Sequence, residues 1–348
     1  MRSSKKVVAL LIMAALVMTC LVGCQKSTPT AAPATAERTV TDMAGRTVKV
    51  PAEVKTIATF GAIGVLNAFV ETVGEGSKIC NEMSPSFTKR DLWKYQYVFA
   101  PQLKDGPVFE DASREIQMEK VLQVKPDLCL TMDKKATDLL AAQGLTVIYL
   151  ACDKQDDVKT CVNILGEALN KKDAAADYTA WFDKSVAKAS DLTEGIKPED
   201  KKKVIYGSVN TLTQPHIIAE WWITAAGGVS VTNDGRTAQT LTYTMEDLLK
   251  WKPDVMILSD KAFRKDVVGD TRFASLPAIQ DQQIFIVPTV AHIWGNRTPE
   301  QPLTVLWTIN KLYPQLETTE ALKQDISYFY SHFFKVNLTD EQLKEIIG

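Results

Sequence analysis

Met118-Glu-Lys-Val-Leu-Gln-Val-Lys-Pro-Asp127 and Met245-Glu-Asp-Leu-Leu-Lys-Trp-Lys-Pro-Asp254 lie 127 residues apart and share six residues in ten. An apolar run follows each: Leu128-Cys-Leu-Thr-Met132 and Val255-Met-Ile-Leu258. Each word reads as a helix stopped by a proline turn that feeds a buried strand. Two copies predict the same α/β unit twice, hence two similar lobes. A cleft between lobes is where ligands are commonly held.

Working outward, Thr39 to Pro51 alternates apolar and polar residues around an Ala-Gly turn, a small hairpin. A strand at 56–60, a helix at 61–73, the first repeat, a helix at 137–143 and a strand at 145–150 complete a first half. The rhythm restarts with a strand at 204–207, a helix around 216–226, the second repeat and a strand at 284–288. Such alternation predicts an α/β fold with parallel sheets, one Rossmann-like sheet per lobe. Between the halves, Tyr178, Trp181, Phe182, Val186, Ala189 and Leu192 recur every three or four residues. That stripe predicts one helix of about 25 residues, roughly 37 Å long, joining the lobes as a strut. The expected boundaries are an N-terminal lobe at 38–168, a linking helix at 169–197, a C-terminal lobe at 198–316 and closing helices at 317–348. Thr339 or Asn337 is placed to cap the last helix.

The amino terminus points to export. Arg2, Lys5 and Lys6 precede the apolar run Val7–Val22, which is short of a membrane span of about 20 residues but suits a signal peptide. Leu21-Val-Gly-Cys24 resembles the lipobox of bacterial lipoproteins, in which the cysteine is lipidated. Residues 1–24 are thus expected to be a signal segment, Cys24 a lipid anchor, and 25–37, rich in Thr, Ala and Pro, a flexible tether. The net charge of −2 argues against nucleic-acid binding. Cys80, Cys129, Cys152 and Cys161 show no C-x-x-C spacing, which weakens a zinc or iron–sulfur reading. Cys129 reads as core packing, and whether any pair forms a disulfide is not legible in the spacing. No metal site and no bound cofactor are expected.

The lipobox, the Thr41-Asp-Met-Ala-Gly-Arg-Thr-Val-Lys-Val-Pro51 opening, the paired Lys-Pro-Asp words and the mid-chain helix together resemble the class III, helical-backbone substrate-binding proteins of ABC importers. The resemblance spans residues 38–348. It implies two lobes on a rigid helix, little closure, a monomer, an extracytoplasmic location on the cell membrane, and a permease with its ATPase as partners. It implies as cargo a metal chelate (iron–siderophore, haem or corrinoid, such as cobalamin), with molybdate or tungstate as the alternative. It also implies that Glu119 and Glu246, one per repeat, meet arginines of the permease. The residues themselves allow another role, since an acid in a first helical turn is stabilised by the helix dipole. Thr244-Met-Glu-Asp247 resembles a capping arrangement.

Ligand contacts are expected from loops at the carboxyl ends of strands. In the first lobe these supply Phe60, with Gly61-Ala-Ile-Gly64 heading a helix, and Glu82 and Met83. In the second they supply His216, Trp294 and Arg297, the last two at positions that commonly face the cleft in the resembled family. An arginine suits an anionic chelate or an oxyanion. Trp221 and Trp222 read as core. Only His216, His292 and His332 are available as histidines, which disfavours a bare-metal site. No Gly-x-Ser-x-Gly, P-loop, His-Glu-x-x-His or dinucleotide motif is present, so an exported two-lobed enzyme is the lesser alternative. Such an enzyme would have to use His216 with Glu220.

Overall fold

Strands β1 (Arg38–Thr41) and β2 (Thr47–Val50) pair antiparallel around the expected turn. Asp42 holds the turn by accepting from the backbone N–H groups of Ala44 and Arg46 at 3.0 and 2.9 Å. The computed structural model describes residues 37–89 and 91–348, which form one unit. The expected signal segment, Cys24 and nearly all of the tether lie outside the described residues.

The first half contributes β3 (Ile57–Phe60), α1 (Ile63–Thr72), α2 (Met118–Val124), β4 (Leu128–Thr131), α3 (Lys134–Ala142) and β5 (Val147–Tyr149). Its three strands form a parallel sheet in the order β3-β4-β5. Helices α4 (Gln155–Ala168) and α5 (Lys172–Thr193) lead to the second half. There β6 (Lys203–Gly207), β7 (Thr213–Gln214), α6 (Ile218–Ala225), β8 (Val229–Ser230), β9 (Leu241–Thr242) and α7 (Met245–Trp251) are followed by β10 (Val255–Leu258), α8 (Phe263–Gly269) and β11 (Ile284–Ile286). A second parallel sheet runs β11-β10-β6-β8, and β7 pairs with β9 as a short antiparallel ribbon. Helices α9 (Gln301–Leu312), α10 (Thr319–Phe329) and α11 (Asp340–Ile347) close the chain. The fold class is therefore α/β with two parallel sheets. Among the described residues no helix is long and apolar enough to cross a membrane.

The two repeated words adopt the same geometry. Lys125 and Lys252 end their helices in the left-handed region, at φ 51° and 48°, each donating its N–H back to the helix. Proline then supplies no N–H with which to continue. The aspartate that follows clips the start of its own strand to the start of the neighbouring one. Asp127 Oδ2 accepts from Lys55 N (2.8 Å), Thr56 N (2.9 Å) and Thr56 Oγ1 (3.1 Å), and Asp254 Oδ2 accepts from Lys203 N (2.8 Å). The words thus set strand register in both sheets, which explains why Lys-Pro-Asp recurs.

Helix α5 runs 22 residues, somewhat shorter than expected because Gly195 follows closely. Tyr178, Phe182 and Ala189 of its stripe are buried, with Trp181, Val186 and Leu192 partly so. They join one apolar core that includes Leu66 and Leu130 of the first sheet layer, Tyr206 and Ile257 of the second, and Phe329 and Leu343 of the closing helices. Thr339 caps α11, with Gln342 completing a capping box. Trp222 is fully buried, whereas Trp221 is partly buried and stacks on Phe182 at 6.2 Å. The four described cysteines are free thiols, with Cys129 in the core of β4.

The unequal clips give a test. Asp127→Ala, which removes three accepted bonds, should cost about 1–3 kcal/mol, and Asp254→Ala, which removes one, about 1 kcal/mol. Urea unfolding midpoints measure both, and equal losses would show that the hydrogen bonds do not carry the effect.

Candidate ligand-binding site

Helix α1 begins directly beyond the carboxyl end of β3, where open α/β sheets place their ligands. Gly61 turns the chain at φ 75° while its N–H donates to Glu110 at 2.8 Å. The N-cap residue is Ala62, which has no side chain to cap the helix, and no acid lies in the first turn. The helix end therefore has no capping side chain of its own, and the carboxylate beside it is that of Glu110, on the preceding Gly61 N–H. A Cβ on Gly64 would lie 2.9 Å from the Trp93 ring and 3.2 Å from His292 Nδ1. The bare glycine is what allows the second half of the chain to reach this helix. His292 stacks on Trp93 with ring centroids 5.3 Å apart.

One imidazole of the second half, His292, packs against this helix start, and His216 and Arg297 act on it electrostatically. His216 precedes α6, while His292 and Arg297 sit on the segment between β11 and α9. Burial, and then the Arg297 charge, pull the His216 pKa down to about 4. Burial, then His216 and Arg297, pull His292 to about 3. Both imidazoles are therefore neutral near pH 7, and His292 lies within electrostatic reach of His216 and Arg297. The Nδ1 atoms of His216 and His292 are buried without a hydrogen-bond partner. Buried nitrogens of this kind are rare enough to mark a functional position. Arg297 makes one ion pair, Nη1 to Asp153 Oδ1 at 3.4 Å, across from the first half.

The segment carrying His292 and Arg297 is built around Glu300, a fully buried carboxylate. It accepts from Ala291 N (3.0 Å), His292 N (2.9 Å), Thr298 Oγ1 (2.8 Å) and the Tyr330 hydroxyl. A relay of side chains then reaches the first sheet. Thr59 Oγ1 donates to Asn67, Asn67 to Gln96, and Gln96 Nε2 to both Gly64 O and Ala291 O. Gly295 lets the segment press onto Tyr206, whose ring a Cβ would meet at 2.2 Å, and Tyr206 OH donates to Asn296 at 2.9 Å.

These positions correct parts of the expected site. Trp294 is fully buried, its indole against Glu300, so it supports the loop from beneath rather than facing the cleft. Phe60 is also fully buried, stacked on Phe109 within the first sheet's core. Glu82 accepts from Tyr97 OH at 2.8 Å and from Met83 N at 2.7 Å, which engages its carboxylate locally. Met83 is nearly buried but borders a cavity of about 410 Å³ shared with Trp93, Lys94, Tyr97 and Lys104. A second cavity of about 380 Å³ lies between Lys94, Ser259, Pro288 and Lys311. Neither is lined by His216 or Arg297; the link is Trp93, which stacks on His292. His292, Trp93, Asp153 and Glu300 were not singled out from the sequence. Glu220 bonds Arg236, Gln214 and Thr232, so it is not poised to act with His216. Among the described residues no cluster of three or more His, Cys, Asp or Glu could hold a metal. Glu119 and Glu246 are exposed, without partners among the described residues, in the first turns of α2 and α7. In α7 the capping role belongs to Asp247, which exchanges bonds with Thr244 and leaves Glu246 free.

Comparison with known proteins identifies the framework. The sequence profile described as periplasmic binding protein matches residues 82–291, more than half of the chain. The chain belongs to that family. It is 27% identical over 97 residues to a molybdate-binding protein, MolA, of Haemophilus influenzae, a stretch covering 27% of this chain and 28% of the relative. It is 26% identical over 178 residues to an iron(3+)-hydroxamate-binding protein, YxeB, of Bacillus subtilis, covering 51% and 47%. The chain thus aligns with less than half the length of these curated relatives. A periplasmic solute-binding protein of Veillonella parvula shares the fold with a TM-score of 0.76 at 23% identity, over 89% of this chain and 97% of that one. The Haemophilus influenzae protein MolA bound to molybdate does so with a TM-score of 0.74 at 17% identity, over 87% and 99%.

Two outcomes follow from this geometry. Glu300→Ala strands several buried donors and should cost about 3–5 kcal/mol in urea unfolding. The depressed histidines add a pH dependence. Their folded pKa values lie below the unfolded 6.5, so their contribution is complete above pH 6.5 and is lost as pH falls toward about 4 and 3. His292→Gln should flatten the acid limb of the ligand-free stability curve relative to the wild type.

Proposed function

We propose that this chain is the extracytoplasmic substrate-binding component of an ABC-type importer and that its cargo is a compact oxyanion of the molybdate or tungstate class. The observation that carries this reading is the convergence of two neutral histidines, Arg297 and the uncapped amino terminus of α1. Neutral imidazoles donate hydrogen bonds, the guanidinium supplies charge and a planar pair of donors, and the helix end supplies bare N–H groups. A small multiply charged anion satisfies all of them at once. The partial sequence likeness to a molybdate-binding protein supports the same choice.

A metal chelate, with iron–siderophore, haem and corrinoid as the candidates, is the second reading. It is favoured by the two adjoining cavities with Trp93, Tyr97, Lys94 and Lys104 in their walls, which suit a larger organic anion, and by the likeness to a hydroxamate-binding protein. In both readings the protein is a monomer without catalytic activity, lipid-anchored through Cys24, with Glu119 and Glu246 meeting basic residues of the permease. Charge complementarity at two separated points would set the docking orientation.

Titration calorimetry of the mature domain against molybdate, tungstate, sulfate, ferric hydroxamate, haem and cobalamin separates the readings. Oxyanion binding with no chelate binding is expected; the reverse result selects the chelate. Arg297→Ala should weaken the anion at least tenfold, since hydrogen bonds to charged groups contribute about 1.5–3 kcal/mol, with little change in melting temperature. The imidazoles donate in their neutral form, so affinity should be nearly independent of pH between about 8 and about 6 and should tighten only as pH falls toward about 4, where a bound anion favours their protonation. His216→Ala or His292→Ala that left affinity unchanged would remove that histidine from the site. Glu119→Lys with Glu246→Lys should abolish uptake into cells while leaving binding in solution unchanged.

A further inference from the structure

We propose that Asp153 is a built-in competitor for the cargo: its carboxylate occupies Arg297 from the opposite half of the chain and so holds down the affinity for an anion. The inference rests on the anion-binding reading above and adds a residue from the opposite half of the protein.

Asp153 lies between β5 and α4, on the first half of the chain, while Arg297 belongs to the loop organised by Glu300. The contact is a single one, Nη1 to Oδ1 at 3.4 Å, without the second bond that a bidentate carboxylate–guanidinium pair would make. It is also wet: 63% of the Asp153 side chain and 29% of the Arg297 side chain are exposed. Such pairs contribute little to stability. The other arginines of this region are tied more firmly. Arg236 holds Thr232 O, Asp234 and Glu220 together, and Arg46 grips Asp42 through two nitrogens. Arg297 alone among these three spends a guanidinium on one long bond.

The carboxylate is nevertheless presented by a fixed backbone. Asp157 Oδ2 accepts from the N–H groups of both Asp153 and Lys154 at 2.8 Å, and Cys152 beside it is buried. Asp153 is therefore held near Arg297 by its loop, not by the ion pair itself. That arrangement suits a competitor, which has to be displaced easily and return to the same place.

Two consequences follow from electrostatics. An arriving anion has to displace a carboxylate already on Arg297 and then sit beside it. Displacing Asp153 from Arg297 costs the same for every anion, whereas the repulsion that remains grows with the anion's charge. Asp153 thereby weakens anion binding in general, and dianions more than monoanions.

The test compares the wild type with Asp153→Asn in the full mature domain, using molybdate, tungstate, sulfate and acetate as probes. The expected result is tighter binding of the dianions by about fivefold, a gain that shrinks at high salt, and a smaller gain for acetate. The gain should vanish when Arg297→Ala is added. A purely structural role for the pair predicts weaker or unchanged binding in Asp153→Asn, and that result overturns the proposal. If the wild type binds none of the probes, the oxyanion reading fails, and the competitor is judged by a readout that needs no cargo. Modification of Arg297 by phenylglyoxal, followed by mass spectrometry, should be faster in Asp153→Asn. An unchanged rate would overturn it.

Discussion

The carboxylate of Glu300 is the interaction on which the arrangement of the protein depends. It is buried where a charge is costly, and that cost is offset by hydrogen bonds from the backbone of Ala291 and His292, from Thr298 and from Tyr330. Burial raises its pKa in spite of these donors. Glu71, on α1, is buried nearby with neither oxygen hydrogen-bonded, and burial together with Glu300 holds its pKa well above the usual carboxylate range. Burial and the neighbouring Glu300 both favour the neutral form of Glu71, which reduces the repulsion between the two carboxyls. Because Glu300's partners come from the segment between β11 and α9 and from the closing segment, one side chain fixes the position of His292 and ties the carboxyl-terminal helices to it.

Around that anchor, the site is an arrangement of donors. The first half provides an uncapped helix end and the Trp93 ring; the second provides two imidazoles and a guanidinium. The histidines stay neutral because they are buried beside Arg297, so the ligand-free cleft does not accumulate repelling charge. The Thr59–Asn67–Gln96 relay bonds Gly64 and Ala291 from one amide, so the two walls are held in register by a buried polar network.

What could be read from the chain divides along a physical line. The repeated words, the hairpin, the linking helix and the Thr339 cap were legible because each is decided within a few residues: a left-handed cap before proline, alternation about a turn, a stripe of period 3.6. That His216 and Arg297 lie in loops after strands was legible. Phe60 and Trp294 were misplaced because position in a loop does not reveal which side of the loop faces the core, and both are fully buried. Trp93, His292, Asp153 and Glu300 act through partners far away in sequence. Trp93 lies in an irregular stretch without periodicity, and Glu300 resembles an ordinary acid at a helix start until Ala291 and His292 are seen to donate to it.

Helix α5 carries a consequence for communication. It shares one core with both sheets and with the closing helices, so the two halves have no soft joint about which to swing. Empty and loaded forms then present nearly the same outline. A partner surface that must tell them apart has little shape difference to detect. In the reading proposed above, the difference that remains is one of potential: an anion on Arg297 would neutralise it and free the Asp153 carboxylate. Occupancy in such a body is signalled by a local change in field, which would make its recognition sensitive to ionic strength.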